Sequence, residues 1–190
     1  MPRWLPNALS MMRIALVPVW LALAVLERAR ALEGEPVRRA ALVALLVIVG
    51  ATDMLDGFLA RRFALTTNLG ATLDAVADKL ATVAAVTFLA FFAPPGLTAL
   101  PLWLWGALVL RDLVLGAGFL VIWRKHRTVA VEHRWHGRLS TLLLFVNVVA
   151  ACAGAPAWAV LGGSAVVVVL VVPGTVDYVR EGVRQLSQPT

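Results

Sequence analysis

The chain has 190 residues, of which 61% are hydrophobic and only 15% charged, with a formal net charge of +6. That composition excludes an ordinary soluble domain. No basic–aromatic soluble module is present either, which argues against nucleic acid as a partner.

Six apolar segments follow in chain order, each near the ~20 residues that cross a bilayer. They run about Ala8–Leu26, Ala40–Ala60, Gly70–Phe92, Thr98–Trp123, Leu139–Ala153 and Ala157–Val179. Helix-breaking residues separate them: Gly34 with Pro36, Pro94-Pro95-Gly96, and Gly154 with Pro156. The fifth segment is the shortest. No repeat or low-complexity tract interrupts the pattern. The expectation is an all-α polytopic membrane protein, with six transmembrane helices around a polar cavity and one domain over residues 1–190. The start shows no small-residue cleavage site after a short apolar core, so no cleavable signal is expected. The lone Cys152, in an Ala-rich stretch, reads as a packing residue.

Lys and Arg counts orient the segments. With the N-terminus in the cytoplasm, Arg61, Arg62, Arg124, Lys125, Arg127, Arg134, Arg138, Arg180 and Arg184 all fall inside. The loops after segments three and five carry no Lys or Arg. The first loop departs from the rule through Arg28, Arg30, Arg38 and Arg39, partly offset by Glu27, Glu33 and Glu35. Six spans also place the loops after segments two and four on one side, whichever way the chain inserts. The basic stretch 124–138 is thus expected on the same side as the end of segment two.

That end carries the most informative string: Asp53-x2-Asp56-Gly57-x2-Ala60-Arg61-x8-Gly70-x3-Asp74-x3-Asp78. A charged side chain at the bilayer centre costs about 2.5–3.5 kcal/mol on insertion scales. Four carboxylates close together repel unless cations or protons intervene. Asp53 and Asp56 are i, i+3 neighbours, and Asp74 and Asp78 are i, i+4 neighbours with Gly70 on the same stripe. A break over Arg62–Leu69 allows two antiparallel helices with both pairs facing inward. Hard oxygen donors suit Mg²⁺, Mn²⁺ or Ca²⁺ rather than Zn²⁺. Two-metal sites stabilise attacking and leaving oxygens at phosphorus. Gly57 and Gly70 let a bulky ligand approach the backbone, Ala60 keeps the next turn small, and Arg61 can meet a phosphate oxygen. The chemistry implied is transfer of a phosphate-bearing group from a pyrophosphate donor to an alcohol, with one carboxylate taking the proton. Intramembrane carboxylates also serve divalent-cation or proton transport, which is the alternative from another class.

The string Asp53–Asp78 resembles the signature of the CDP-alcohol phosphotransferases at every defining position. The six-segment layout is similar too. The resemblance implies CMP as leaving group, with two Mg²⁺ or Mn²⁺ ions on Asp53, Asp56, Asp74 and Asp78. It implies Asp78 as general base and Gly57, Ala60, Arg61 and Gly70 as the CDP site. It further implies a homodimer; the donor expected is CDP-diacylglycerol, and the apolar chain with its Lys/Arg distribution suits a bacterial inner membrane with the site facing the cytoplasm. Asp78-Lys79, and Pro6-Asn7-Ala8-Leu9-Ser10 with Arg13 and Pro18, resemble phosphatidylglycerophosphate synthases and CMP-forming cardiolipin synthases. The acceptor is then sn-glycerol 3-phosphate, with phosphatidylglycerol as the alternative. Ala75 and Arg138 depart from that subgroup's usual Pro and Lys, and Arg138 keeps the charge without the ammonium geometry.

Arg111, Arg134 and Arg138 are the candidate ligands of the acceptor phosphate. Arg111 has a second reading as an ion pair with Asp112 beside it. His126, His133 and His136 fit no standard zinc spacing. The tryptophans, among them Trp4, Trp20, Trp103, Trp105 and Trp123, read as interfacial anchors. Ala77, Ala81, Ala84 and Ala85 suit close helix packing.

Overall fold

Glycine and proline set the helix ends. Gly34, Gly96 and Gly154 adopt φ of 89°, 98° and 76°, a left-handed conformation that other residues reach only at a cost. Each closes a turn between helices. The computed structural model describes the backbone of residues 5–63, 68–126 and 135–187. It describes the side chains of residues 11–52, 75–118, 120–121, 139–180 and 183–184.

The described chain is all-helical, with six helices. They are α1 (Leu5–Leu32), α2 (Arg39–Phe63), α3 (Asn68–Phe91), α4 (Leu102–His126), α5 (Trp135–Cys152) and α6 (Ala157–Ser187). Each matches an expected apolar segment. Two run well beyond what hydropathy alone indicates, α1 past Leu26 and α6 past Val179, while α2 and α5 extend by about one turn. The added turns of α1 and α6 hold Glu27, Arg28 and Arg30, and Arg180 and Arg184, which keep the helix but not the apolar character.

The chain divides into two compact units. Unit 1 holds residues 1–99 and 148–157, and unit 2 holds residues 100–147 and 158–190.

In unit 1, α1 packs on both α2 and α3. Its buried residues are Arg13, Trp20, Ala24 and Glu27, at i, i+7, i+11 and i+14 on one stripe. Trp20 belongs to this core at 2% exposed, which corrects its reading as an interfacial anchor. Its indole N–H donates to the Leu42 carbonyl of α2 at 3.2 Å. Its ring meets Phe88 of α3 edge-on, with centroids 5.8 Å apart. A mid-helix tryptophan finds a buried partner for its one donor here, whereas Trp103 and Trp158 stay exposed.

The far end of α1 is tied by charge. Buried Glu27 accepts the Arg38 backbone N–H at 2.9 Å, just ahead of α2, whose first amides have no partner within the helix. Arg30 bridges Glu27 at 3.5 Å and Glu35 at 3.0 Å. Arg28 donates to the Phe92 carbonyl and lies 5.3 Å over its ring. The Arg39 guanidinium lies against Gly154, where a Cβ would come within 2.7 Å of Nη1 and 2.9 Å of the Gly96 carbonyl oxygen. Arg28 and Arg30 thus have protein partners, the Arg38 guanidinium lies 3.9 Å from Glu27, and Arg39 packs against Gly154. That supplies a physical reason for their departure from the Lys/Arg rule.

In unit 2, buried Asn147 of α5 donates to Ser164 Oγ of α6 at 2.9 Å, and Ser164 donates to the Val160 carbonyl at 2.8 Å. Gly163 makes room for this pair: a Cβ there would clash with Asn147 Oδ1. Tyr178 of α6 donates to the Leu115 carbonyl of α4 at 3.3 Å and rests on Gly118. Among the described residues, the stretch Ala157–Arg180 of α6 is long and apolar enough to cross a membrane. Arg39–Thr52 and Leu139–Cys152 are shorter apolar stretches. Large aliphatic residues such as Leu110, Leu113, Val146 and Val169 point outward.

Candidate active site

The four aspartates lie on the two helices that α1 holds, towards the α2–α3 connection. Leu42, Leu46 and Val49 are buried on α2 at i, i+4 and i+7. Asp53, Asp56 and Ala60 continue that register at i+11, i+14 and i+18. In helical register, the apolar positions of α2 are thus followed by acidic ones towards its C-terminus. Gly57 and Arg61 are placed in the same turns.

On α3, Gly70, Asp74 and Asp78 occupy the first half of the helix. The side chains of Asp53, Asp56, Gly57, Ala60, Arg61, Gly70 and Asp74 lie outside the described residues; their helix positions are described. Asp78 is described fully. It shares a stripe with Ala85 and Leu89, at i, i+7 and i+11. Ala85 and Leu89 are buried, yet Asp78 is exposed. The face that is closed farther along α3 opens at Asp78, so a carboxylate there is reachable from solvent. Ala77, one position earlier, is buried. The alanine run packs as expected, with Ala77 and Ala85 in the core.

The donor set of the string consists of carboxylate oxygens with no thiol or imidazole among them. That chemistry fits a hard divalent cation such as Mg²⁺ or Mn²⁺.

The candidate acceptor residues fall in unit 2. Arg111 is half-buried near the middle of α4, with Asp112 half-buried beside it. Arg138 lies in the first turn of α5, where free backbone N–H groups favour an anion. Its side chain and the whole of Arg134 lie outside the described residues. His126 and His136 are placed on α4 and α5, and His133 is outside the described residues.

An open cleft lined by Glu35, Arg38, Arg39 and Gly96 belongs to the opposite end of α1 from the aspartates. Two buried ionisable residues were not singled out from the sequence as core residues: Arg13 and Glu27, each 1% exposed. Their spacing with Trp20 and Ala24 is the signal that marks them, one helical stripe through an apolar segment.

Residues 3–172 match the family model of the CDP-alcohol phosphatidyltransferases. The chain is 33% identical over 143 residues to the CDP-diacylglycerol–glycerol-3-phosphate 3-phosphatidyltransferase of Pectobacterium atrosepticum, covering 72% of this chain and 70% of the relative. It is 40% identical over 93 residues to the protein of the same description from Bacillus subtilis, covering 46% of this chain and 48%, about half, of that relative. It is 34% identical over 143 residues to the CMP-forming cardiolipin synthase of Streptomyces coelicolor, covering 74% of this chain and 60% of that relative.

Proposed function

The chain belongs to the CDP-alcohol phosphatidyltransferase family, and from that premise we propose that it transfers the phosphatidyl group of CDP-diacylglycerol to sn-glycerol 3-phosphate. The products are phosphatidylglycerophosphate and CMP. The observation that carries the reaction class is the aspartate string inside a family match over residues 3–172. The Pectobacterium and Bacillus relatives, both glycerol-3-phosphate 3-phosphatidyltransferases by name, support the acceptor.

Asp53, Asp56, Asp74 and Asp78 would hold two Mg²⁺ or Mn²⁺ ions, which when bound offset the charge of the diphosphate and of departing CMP. Asp78, exposed where its stripe opens, accepts the proton of the acceptor hydroxyl. That oxygen forms the new bond to the lipid-side phosphorus as the bond to the CMP oxygen breaks. Gly57, Ala60 and Gly70 leave space for the nucleotide diphosphate, and Arg61 meets one of its phosphates. Arg111, Arg134 and Arg138 bind the acceptor phosphate.

The setting is a bilayer crossed by the six helices around a polar cavity, in a bacterial inner membrane. The active site faces the cytoplasm, and the protein works as a homodimer. The apolar stretch of α6 and the outward aliphatic residues support the membrane reading. The Lys/Arg distribution supports the orientation.

A second reading keeps the chemistry and takes phosphatidylglycerol as acceptor, giving cardiolipin. The likeness to the Streptomyces cardiolipin synthase favours it. One experiment separates the readings. Purified protein is incubated with CDP-diacylglycerol, Mg²⁺ or Mn²⁺ and one acceptor at a time, and CMP is measured. Release with glycerol 3-phosphate is the expected result. Release with phosphatidylglycerol alone selects the second reading. No CMP with any acceptor, together with cation flux in proteoliposomes, replaces both with transport.

A further inference from the structure

Arg13 is 1% exposed at the N-terminal end of the buried α1 stripe, whose other end carries Glu27. A guanidinium stays charged in a protein, and a buried charge is costly unless paired. The acidic residues of unit 1 fall into two groups: Glu27, Glu33 and Glu35 at one end, and the four aspartates at the other. Glu27 is fourteen residues along α1 from Arg13, about 21 Å at 1.5 Å per residue, and is engaged with Arg30 and Arg38.

The aspartates are much nearer. Trp20 fixes the level of α1 against its neighbours, through Leu42 on α2 and Phe88 on α3. From that level, Arg13 lies about 10 Å down α1, Asp53 about 16 Å down α2 and Asp78 about 15 Å down α3. Arg13 is thus about one turn short of the aspartate layer, on the stripe packed between the two aspartate helices. Side chains on a helix lean towards its N-terminus, which for α1 is the aspartate end. An extended arginine spans that turn.

We propose that Arg13 is the resident counter-cation of the aspartate site, a positioning residue whose guanidinium pairs with carboxylates of α2 and α3 and holds them together before divalent ions bind. The inference rests on the aspartates being the metal-holding site of the proposed function. It gives Arg13 two effects. Arg13 limits carboxylate repulsion in the metal-free protein, and its charge opposes cation binding.

The test uses the full-length protein in detergent and four forms: wild type, Arg13→Met, Arg13→Lys, and Arg13→Met combined with Asp53→Asn. Melting temperature is measured in chelator and at saturating Mn²⁺, and the Mn²⁺ dissociation constant by paramagnetic resonance. The expected result for Arg13→Met is a large loss of melting temperature in chelator, most of it recovered with Mn²⁺. Mn²⁺ binding tightens about tenfold or more, as removal of a nearby positive charge requires. Arg13→Lys stays close to wild type in both. The double variant regains stability in chelator, because the removed cation is matched by a removed anion.

Equal losses with and without Mn²⁺, at unchanged Mn²⁺ affinity, would make Arg13 a packing residue and overturn the proposal. If Arg13→Met alone does not fold, recovery of a folded protein by the added Asp53→Asn supports it, and no recovery overturns it. A wild type that binds no Mn²⁺ defeats the metal-site reading instead. The coupling of Arg13 to Asp53 in chelator is read independently of that result.

Discussion

Asp78 is the residue on which site and chemistry meet. Its register groups it with buried Ala85 and Leu89, but its side chain is exposed. A carboxylate at the open end of a closed stripe is suited to receive a proton from an incoming alcohol. Asp78→Asn keeps the shape and removes the base. We expect turnover to fall by about 10²–10⁴-fold while binding of CDP nucleotide, followed by isothermal titration, is largely spared. Near-wild-type turnover would remove Asp78 from the base role. At the same scale the turn glycines separate two costs. Gly34→Ala meets nothing within 4 Å and incurs the left-handed backbone strain alone, at φ 89°. That is about 1–2 kcal/mol. Gly154→Ala adds a clash with Arg39 and the Gly96 carbonyl oxygen. It should therefore lower the melting temperature more than Gly34→Ala, and equal losses would show that the Arg39 guanidinium moves aside freely.

At the scale of elements, hydropathy located the helices, and at three of the five connections Gly34, Gly96 and Gly154 mark the break by closing a turn in the left-handed region. The additional lengths of α1 and α6 were not legible, since charged turns end a hydropathy segment without ending a helix. What ties α1 to its neighbours was less legible still. Trp20 and Glu27 act through backbone groups of other elements, the Leu42 carbonyl and the Arg38 N–H. Such partners have no residue-type signature. Glu27→Ala leaves the Arg38 N–H and the Arg30 guanidinium without that carboxylate. A loss of about 2–4 kcal/mol is expected, read as a lowered melting temperature in detergent. Catalysis should survive in the fraction that remains folded, because the aspartates lie at the other end of α1.

At the scale of the whole molecule, the candidate donor site belongs to unit 1 and the candidate acceptor arginines to unit 2. A substitution among the acceptor arginines should therefore act on the acceptor and spare the donor. Arg138→Ala is expected to raise the Michaelis constant for glycerol 3-phosphate about tenfold or more, as loss of a charge-assisted contact of ~1.5–3 kcal/mol implies, with little change for CDP-diacylglycerol. An unchanged acceptor constant would move the anion site away from α5. The sequence by itself determined the six helices, their order, the aspartate string and the family. Each of these is written in local spacing: hydropathy over about twenty residues, and acidic positions three and four apart on a helix. The tertiary structure alone decided that Trp20 is core, that the first-loop arginines meet protein groups, that Asp78 stands exposed where its stripe opens, and that Arg13 is buried. Those facts depend on which helix lies against which, and packing between helices distant in sequence is set by shape and by shared hydrogen bonds that no single segment encodes.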